Sequence, residues 1–234
     1  NYVPEEEDTT GMVYRNYNWE IDSDHMRLSG NLDLYFTEEE VREFRGRTPF
    51  RTEASEGFDH NIELLFKEKT DERHLRRINH YIAVQDYEAG LNGLDIMQFI
   101  LDFVQEPNIR YHLDEESHET GGIPEYARCP VETLYDNRGD CDCKAVLAAA
   151  LFRNAGYKVA YVTSRSHAAI AVACPKEWFR YYNTRGLFGN DKKALIDKDG
   201  LYYYFCETTS YSFRIGDFGT SVNPEEFTNF RFLK

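Results

Sequence analysis

A thiol, an imidazole and a carboxylate stand where they could act together in this chain: Cys141, His167 and Glu207. A cysteine nucleophile works as its thiolate, and an unassisted thiol ionises only near about pH 8.5, so it needs help. Cys141 follows Gly139-Asp140 and precedes the apolar run Ala145-Val146-Leu147-Ala148-Ala149-Ala150-Leu151-Phe152. A helix beginning near Asp140 puts the sulfur in its first turn, where unpaired N–H groups and the macrodipole favour negative charge. The N–H of Cys141 itself is then free to face an oxyanion. His167 heads a strand of small residues, 168–173, which leaves a substrate room. Glu207 closes the strand 201–206, where a carboxylate can fix the imidazole's tautomer and orientation. If those strands pair antiparallel with His167 opposite Glu207, both groups fall at one end of a sheet, facing the helix head.

Other residues weigh less. Cys143 lies two residues beyond Cys141, about 200° around a helix, and is expected in the core. A metal site from Cys141, Cys143 and His167 has the right ligand types, but a C-x-C without a second pair is a weak signal, and no metal or cofactor is expected. Cys174 and Cys206 come out some six residues out of register, too far for a disulfide. Gln105, Tyr126 and Asp140 are the candidates for oxyanion or substrate contacts. His25, His60, His74, His80, His112 and His118 have no ligand spacing and are expected at the surface, and Asp197, Asp199 and Gly200 lack the remaining ligands of a calcium loop, so they make a turn.

The elements that must position these groups follow from periodicity. Residues 12–21 and 26–36 read as two strands of a hairpin, and Thr37 with Glu40 forms a capping-box signature for a short helix to about Phe44. Residues 46–56 read as loop, and 61–66 fit either a strand or a helix start. Helices are expected from Thr70 to about Glu88 and from Leu94 to Gln105, then a loop over 108–127. The Cys141 helix is apolar almost all round, so it should be the buried central helix, ended near Gly156. Strands at 158–163, 167–173, 194–196 and 201–206 follow, the last two joined by an Asp199-Gly200 turn. Helices followed by an antiparallel sheet make an α+β arrangement.

The words around the three reactive residues resemble the transglutaminase-like superfamily, which has a papain-like core. They are Gly139-Asp140-Cys141 before an Ala/Leu-rich helix, Ala155-Gly156-Tyr157 after it, His167-Ala168 at a strand start, and Glu207-Thr208-Thr209 at a later strand end. Phe103-Val104-Gln105, Ile109-Arg110-Tyr111, Pro124-Glu125-Tyr126-Ala127-Arg128 and Pro130-Val131-Glu132-Thr133-Leu134 resemble an uncharacterised bacterial and archaeal branch of it. The resemblance covers about residues 94–216. It implies a buried central helix bearing the nucleophile Cys141, packed on an antiparallel sheet, with His167 as general base and Glu207 as its acidic partner; many members carry Asp at the third position. It implies acyl transfer through a thioester on peptide or protein amides. The outcome is hydrolysis, as in a peptidase or amidase, or alternatively Gln–Lys crosslinking, or a binding module that has retired its site.

Composition bounds the rest. With 234 residues, 41% hydrophobic and 17 Tyr with 16 Phe, the chain can bury a real core, and one domain over 12–234 is expected after an acidic linker at 1–11, with 12–93 packed on a catalytic core at 94–216. A formal charge of -14 repels phosphate backbones, which argues against nucleic acid; the expected partner is a peptide or protein substrate. No run reaches the roughly 20 apolar residues of a membrane span. The start at Asn1 is neither an initiator Met nor a signal peptide, so compartment is unknown, with an extracytoplasmic or upstream-anchored protein in view. Five cysteines, an odd set, leave at least one thiol free.

Overall fold

The computed structural model describes residues 10–23, 26–47, 72–91, 93–114, 126, 128–175, 194–211, 213–218 and 223–233. The expectations for 1–9, 48–70, 115–125 and 127 lie outside them. The architecture is α+β: helices and an antiparallel curled sheet.

The hairpin forms as β1 (Val13–Ser23) and β2 (Met26–Phe36), paired antiparallel from Val13 opposite Phe36 to Ser23 opposite Met26. Its inward side is aromatic. Trp19 stacks on Phe99 at 4.8 Å between ring centroids and meets Phe103 edge-on at 5.0 Å. Across the hairpin Gly30 makes room, since a Cβ there would stand 2.5 Å from the indole. Helix α1 (Glu38–Arg47) opens with the capping box the sequence announced: Glu40 N–H donates to Thr37 Oγ1 at 3.1 Å, and Thr37 N–H donates to Glu40 Oε2 at 2.9 Å. Helices α2 (Glu72–Ala89) and α3 (Gly93–Val104) follow. His74, expected at the surface, is instead buried on α2, stacked on Phe36 at 4.2 Å. A single polar residue on an apolar helix face carries no signal that would have placed it there.

A helix that periodicity did not single out, α4 (Pro130–Asp136), comes next, with Pro at its first turn. It is too short for its apolar positions to show a period. Two-residue strands β3 (Arg110–Tyr111) and β4 (Arg138–Gly139) then pair in parallel. Helix α5 (Cys141–Asn154) is the buried centre. It packs on α2, α3 and α4 at one side and on β5 (Val159–Thr163) and β6 (Ala168–Cys174) at the other. Its Val146, Leu147, Leu151 and Phe152 are fully buried, each worth about 1.5–3 kcal/mol of transfer free energy.

The five-stranded sheet runs β7-β8-β6-β5-β9, with β7 (Ile196–Lys198), β8 (Leu201–Cys206) and β9 (Asn229–Phe232), every pairing antiparallel. The β7–β8 turn is Asp199-Gly200, both at positive φ (56° and 74°), which is the backbone a two-residue hairpin requires. One face, with Ala168, Ile170, Val172 and Cys206, packs against α5 and its helices. The other, with Ala169, Ala171, Tyr203 and Phe205, is covered by Phe218, Phe227 and Phe232.

Gly139 is pressed against the head of α5: a Cβ there would sit 2.7 Å from Cys143 Cβ. Gly139→Ala is expected to push β4 off the helix and cost about 1–3 kcal/mol, read as a lower denaturation midpoint in urea at unchanged m-value.

Candidate active site

Each reactive group is held by a different element. Cys141 is the first residue of α5, with Asp140 as N-cap: Asp140 Oδ1 accepts from Cys143 N–H at 3.3 Å. Among the five cysteines Cys141 alone is partly exposed, and none is in a disulfide. Cys174 pairs with Tyr202 and Cys206 with Ile170, so those two thiols lie far out of register, as the sequence implied.

His167 precedes β6, and Glu207 follows β8. They meet: His167 Nε2–H donates to Glu207 Oε2 at 2.9 Å. The register differs from the one expected. Ile170 opposite Cys206 puts Ala169, not His167, level with Glu207, and the contact is made because β8 ends at Cys206 and the Glu207 side chain reaches along the sheet edge. The extra methylene of Glu over Asp supplies part of that reach. Glu207 is buried, and its other oxygen accepts from Thr209 N–H at 2.9 Å and Thr209 Oγ1 at 2.7 Å. Burial pushes this carboxyl up, but the hydrogen bonds from His167 and Thr209 outweigh it and hold the pKa below the ordinary value. The imidazole, held at Nε2, leans edge-on to Phe227 at 6.2 Å. Its Nδ1 makes no hydrogen bond among the described residues.

The sulfur of Cys141 lies beside the backbone N–H of Ala168, the residue after His167. The sulfur thus lies against the strand start that carries His167, and no hydrogen bond joins thiol and imidazole among the described residues. The electrostatics differ from the expectation of a helix terminus that favours thiolate. Burial, then the carboxylates of Asp142 and Asp140, push the Cys141 thiol well above its ordinary pKa, and the N–H groups of Ala168 and Asp142 act the other way. Burial is the largest cause and the two acids flanking the sulfur add to it, neither of which a motif read for residue types reveals.

The three residues expected at oxyanion or substrate contacts make protein contacts in the structure. Gln105 is buried at the end of α3, and its amide nitrogen donates to Glu207 O at 2.8 Å and Phe213 O at 2.9 Å, so both hydrogens are spent and none faces an oxyanion. It positions the backbone that carries Glu207. Tyr126 is buried, with its hydroxyl donating to Glu132 Oε1 at 2.8 Å. Asp140 caps the helix, and its negative charge opposes an oxyanion.

Two residues that the sequence reading did not weigh belong to the site's frame. Lys144, one turn into α5, has no exposed surface and donates from Nζ to the carbonyls of Ile109 (2.5 Å) and Thr209 (3.2 Å). Burial lowers its pKa to about 8. The same helix that presents Cys141 thus fastens the turn after Glu207. Tyr111, on β3, is exposed and lies within electrostatic reach of Cys141 and Glu207; burial of its hydroxyl, then those charges, raise its pKa to about 12. Its only sequence signal was its place in the Ile109-Arg110-Tyr111 word.

Comparison with protein families, with curated proteins and with solved structures finds no match. No helix among the described residues is long and apolar enough to cross a membrane.

Because Glu207 has a depressed pKa in the folded protein, its carboxylate contributes stability above the ordinary carboxylate range and loses it as the pH falls through the folded value. Glu207→Gln is expected to cost about 1.5–3 kcal/mol at neutral pH, with the gap to wild type narrowing below about pH 4. Urea melts of both proteins across that range check it; a gap that stays constant would mean the His167 contact does not depend on ionised Glu207.

Proposed function

We propose that this chain is a transglutaminase-like, papain-like cysteine enzyme that transfers acyl groups through a thioester, with peptide or protein amides as substrates and hydrolysis as the outcome. The observation that carries this reading is the His167–Glu207 hydrogen bond of 2.9 Å at the sheet edge, beside the partly exposed Cys141 at the head of a buried helix. Glu207 holds Nε2 protonated, which leaves Nδ1 as the lone-pair nitrogen available to a thiol.

In the proposed cycle His167 Nδ1 takes the Cys141 proton and the sulfur attacks the amide carbonyl carbon. The backbone N–H of Cys141, in the first turn where helical N–H groups lack intrahelical acceptors, faces the developing oxyanion. Collapse breaks the C–N bond, the imidazolium returns its proton to the leaving amine, and a thioester remains. Water, deprotonated by His167, then attacks the thioester, and the thiol is restored with release of the acid. Hydrolysis is the simpler outcome, because crosslinking requires a bound acceptor amine and the exclusion of water from the thioester.

The elevated thiol pKa favours a second reading, a binding module with a retired site. Reactivity separates the two. Iodoacetamide at near-neutral pH should modify Cys141 at least about tenfold faster in wild type than in His167→Ala, in which the sulfur is no less accessible; general-base assistance is worth about 10²–10⁴-fold in catalysis. In a peptide-library incubation with and without a labelled amine, wild type should yield new peptide ends, and Cys141→Ala none. Equal alkylation rates in wild type and His167→Ala, with no cleavage and no amine incorporation, would leave the binding module standing.

A further inference from the structure

An oxyanion that forms on a substrate carbonyl beside Cys141 meets acids as well as donors. Asp140 and Asp142 flank the sulfur and their charges oppose it, so the backbone N–H of Cys141 alone is thin support. The polar side chains around the helix head are mostly committed elsewhere. Gln105 gives its amide hydrogens to the carbonyls of Glu207 and Phe213. Lys144 Nζ donates to the carbonyls of Ile109 and Thr209, Thr209 Oγ1 donates to Glu207 Oε1, and His167 Nε2 is held by Glu207 Oε2.

Tyr111 is different. It stands on β3 level with Gly139 of β4, two residues ahead of Cys141. That short pairing is well fastened. Arg110 N–H donates to Asn137 O and His112 N–H to Gly139 O, each at 3.1 Å, while Tyr111 N–H donates to Glu106 Oε1 at 2.9 Å. Lys144 reaches out of α5 to hold the Ile109 carbonyl just before the strand, so β3 is fixed to the helix that carries the sulfur. The Tyr111 side chain is 44% exposed, and its hydroxyl has no hydrogen-bond partner among the described residues. Partial burial of that hydroxyl, then the charge of Cys141 ahead of those of Asp140, Asp142 and Glu207, raises its pKa to about 12. At neutral pH the phenol therefore keeps its proton and is a donor.

We infer that Tyr111 is a catalytic residue for the thioester chemistry proposed above: its hydroxyl donates the second hydrogen bond to the oxyanion formed when the Cys141 sulfur attacks a carbonyl. In that step the C–S bond forms, the carbonyl π pair moves onto oxygen, and the thiol proton passes to His167 Nδ1. Tyr111 shares its proton and does not transfer it. When the leaving group departs with its bonding pair, the C=O bond reforms and the hydroxyl is released.

The inference rests on that proposed function, and one experiment on the full chain separates them. With p-nitrophenyl acetate as probe, acylation of Cys141 releases p-nitrophenol and leaves an acetyl group on the sulfur, which mass spectrometry locates. Tyr111→Phe should acylate about 10²-fold more slowly than wild type, the usual loss for one oxyanion donor. Iodoacetamide attacks the same sulfur by a displacement that builds no oxyanion, so alkylation of the variant should stay within about twofold of wild type. Equal acylation of wild type and Tyr111→Phe would overturn the assignment and leave the thioester reading intact. A parallel fall in acylation and alkylation would also overturn it, because the hydroxyl would then act on the sulfur or its surroundings. Wild type that acylates no faster than Cys141→Ala would overturn both.

Discussion

The structure depends on the burial of one helix with a polar head. From Cys143 to Phe152 α5 has almost no surface in water, closed in by α2, α3 and α4 on one side and by β5 and β6 on the other. Its alanines let the sheet come close, and β6 meets them with Ala168, Ile170 and Val172, so the two layers pack tightly against each other. Burying the body of the helix forces its first turn into the interface between layers. The unpaired N–H groups there must be met by something, and Asp140 meets one.

Polar groups brought inward by that docking are matched in unequal measure. Lys144 is satisfied by two carbonyls, and through them the helix clamps the turn that follows Glu207. Gln105 holds the same turn from the end of α3. The Glu207 carboxylate is thus fixed from two sides before it touches His167, and its own oxygens are both used. Asp142 stands at the other extreme, where burial and the neighbouring acids Asp140 and Asp114 push its carboxyl up. The field at Cys141 is the sum of these choices: backbone N–H groups favour a thiolate, while burial and the two flanking acids oppose it. That balance, rather than the presence of three residue types, governs how reactive the thiol is.

Legibility in the sequence tracks how local the determining interaction is. The Thr37–Glu40 capping box, the Asp199-Gly200 turn and the all-apolar character of α5 each rest on neighbours within a few positions, and each appears where the residues put it. Helix α4 is too short to display a period, and His74 is buried by a ring from β2 that no local pattern announces. The pairing of His167 with Glu207 was readable as an end-of-sheet meeting, yet its register was not, because a shift of two residues keeps every side chain on the same face and leaves the alternation unchanged.

By itself the sequence determined the α+β order of elements, the central helix with Cys141 at its start, and strand ends that carry an imidazole and a carboxylate, since periodicity and turn chemistry are properties of short stretches. Only the tertiary structure decided that Gln105 and Tyr126 spend their donors on protein partners, that Asp114 joins Asp140 and Asp142 near the helix head, and that burial and the flanking acids push the Cys141 thiol up. Those outcomes are set by distances and desolvation among residues remote along the chain, and the order of residues does not state either quantity.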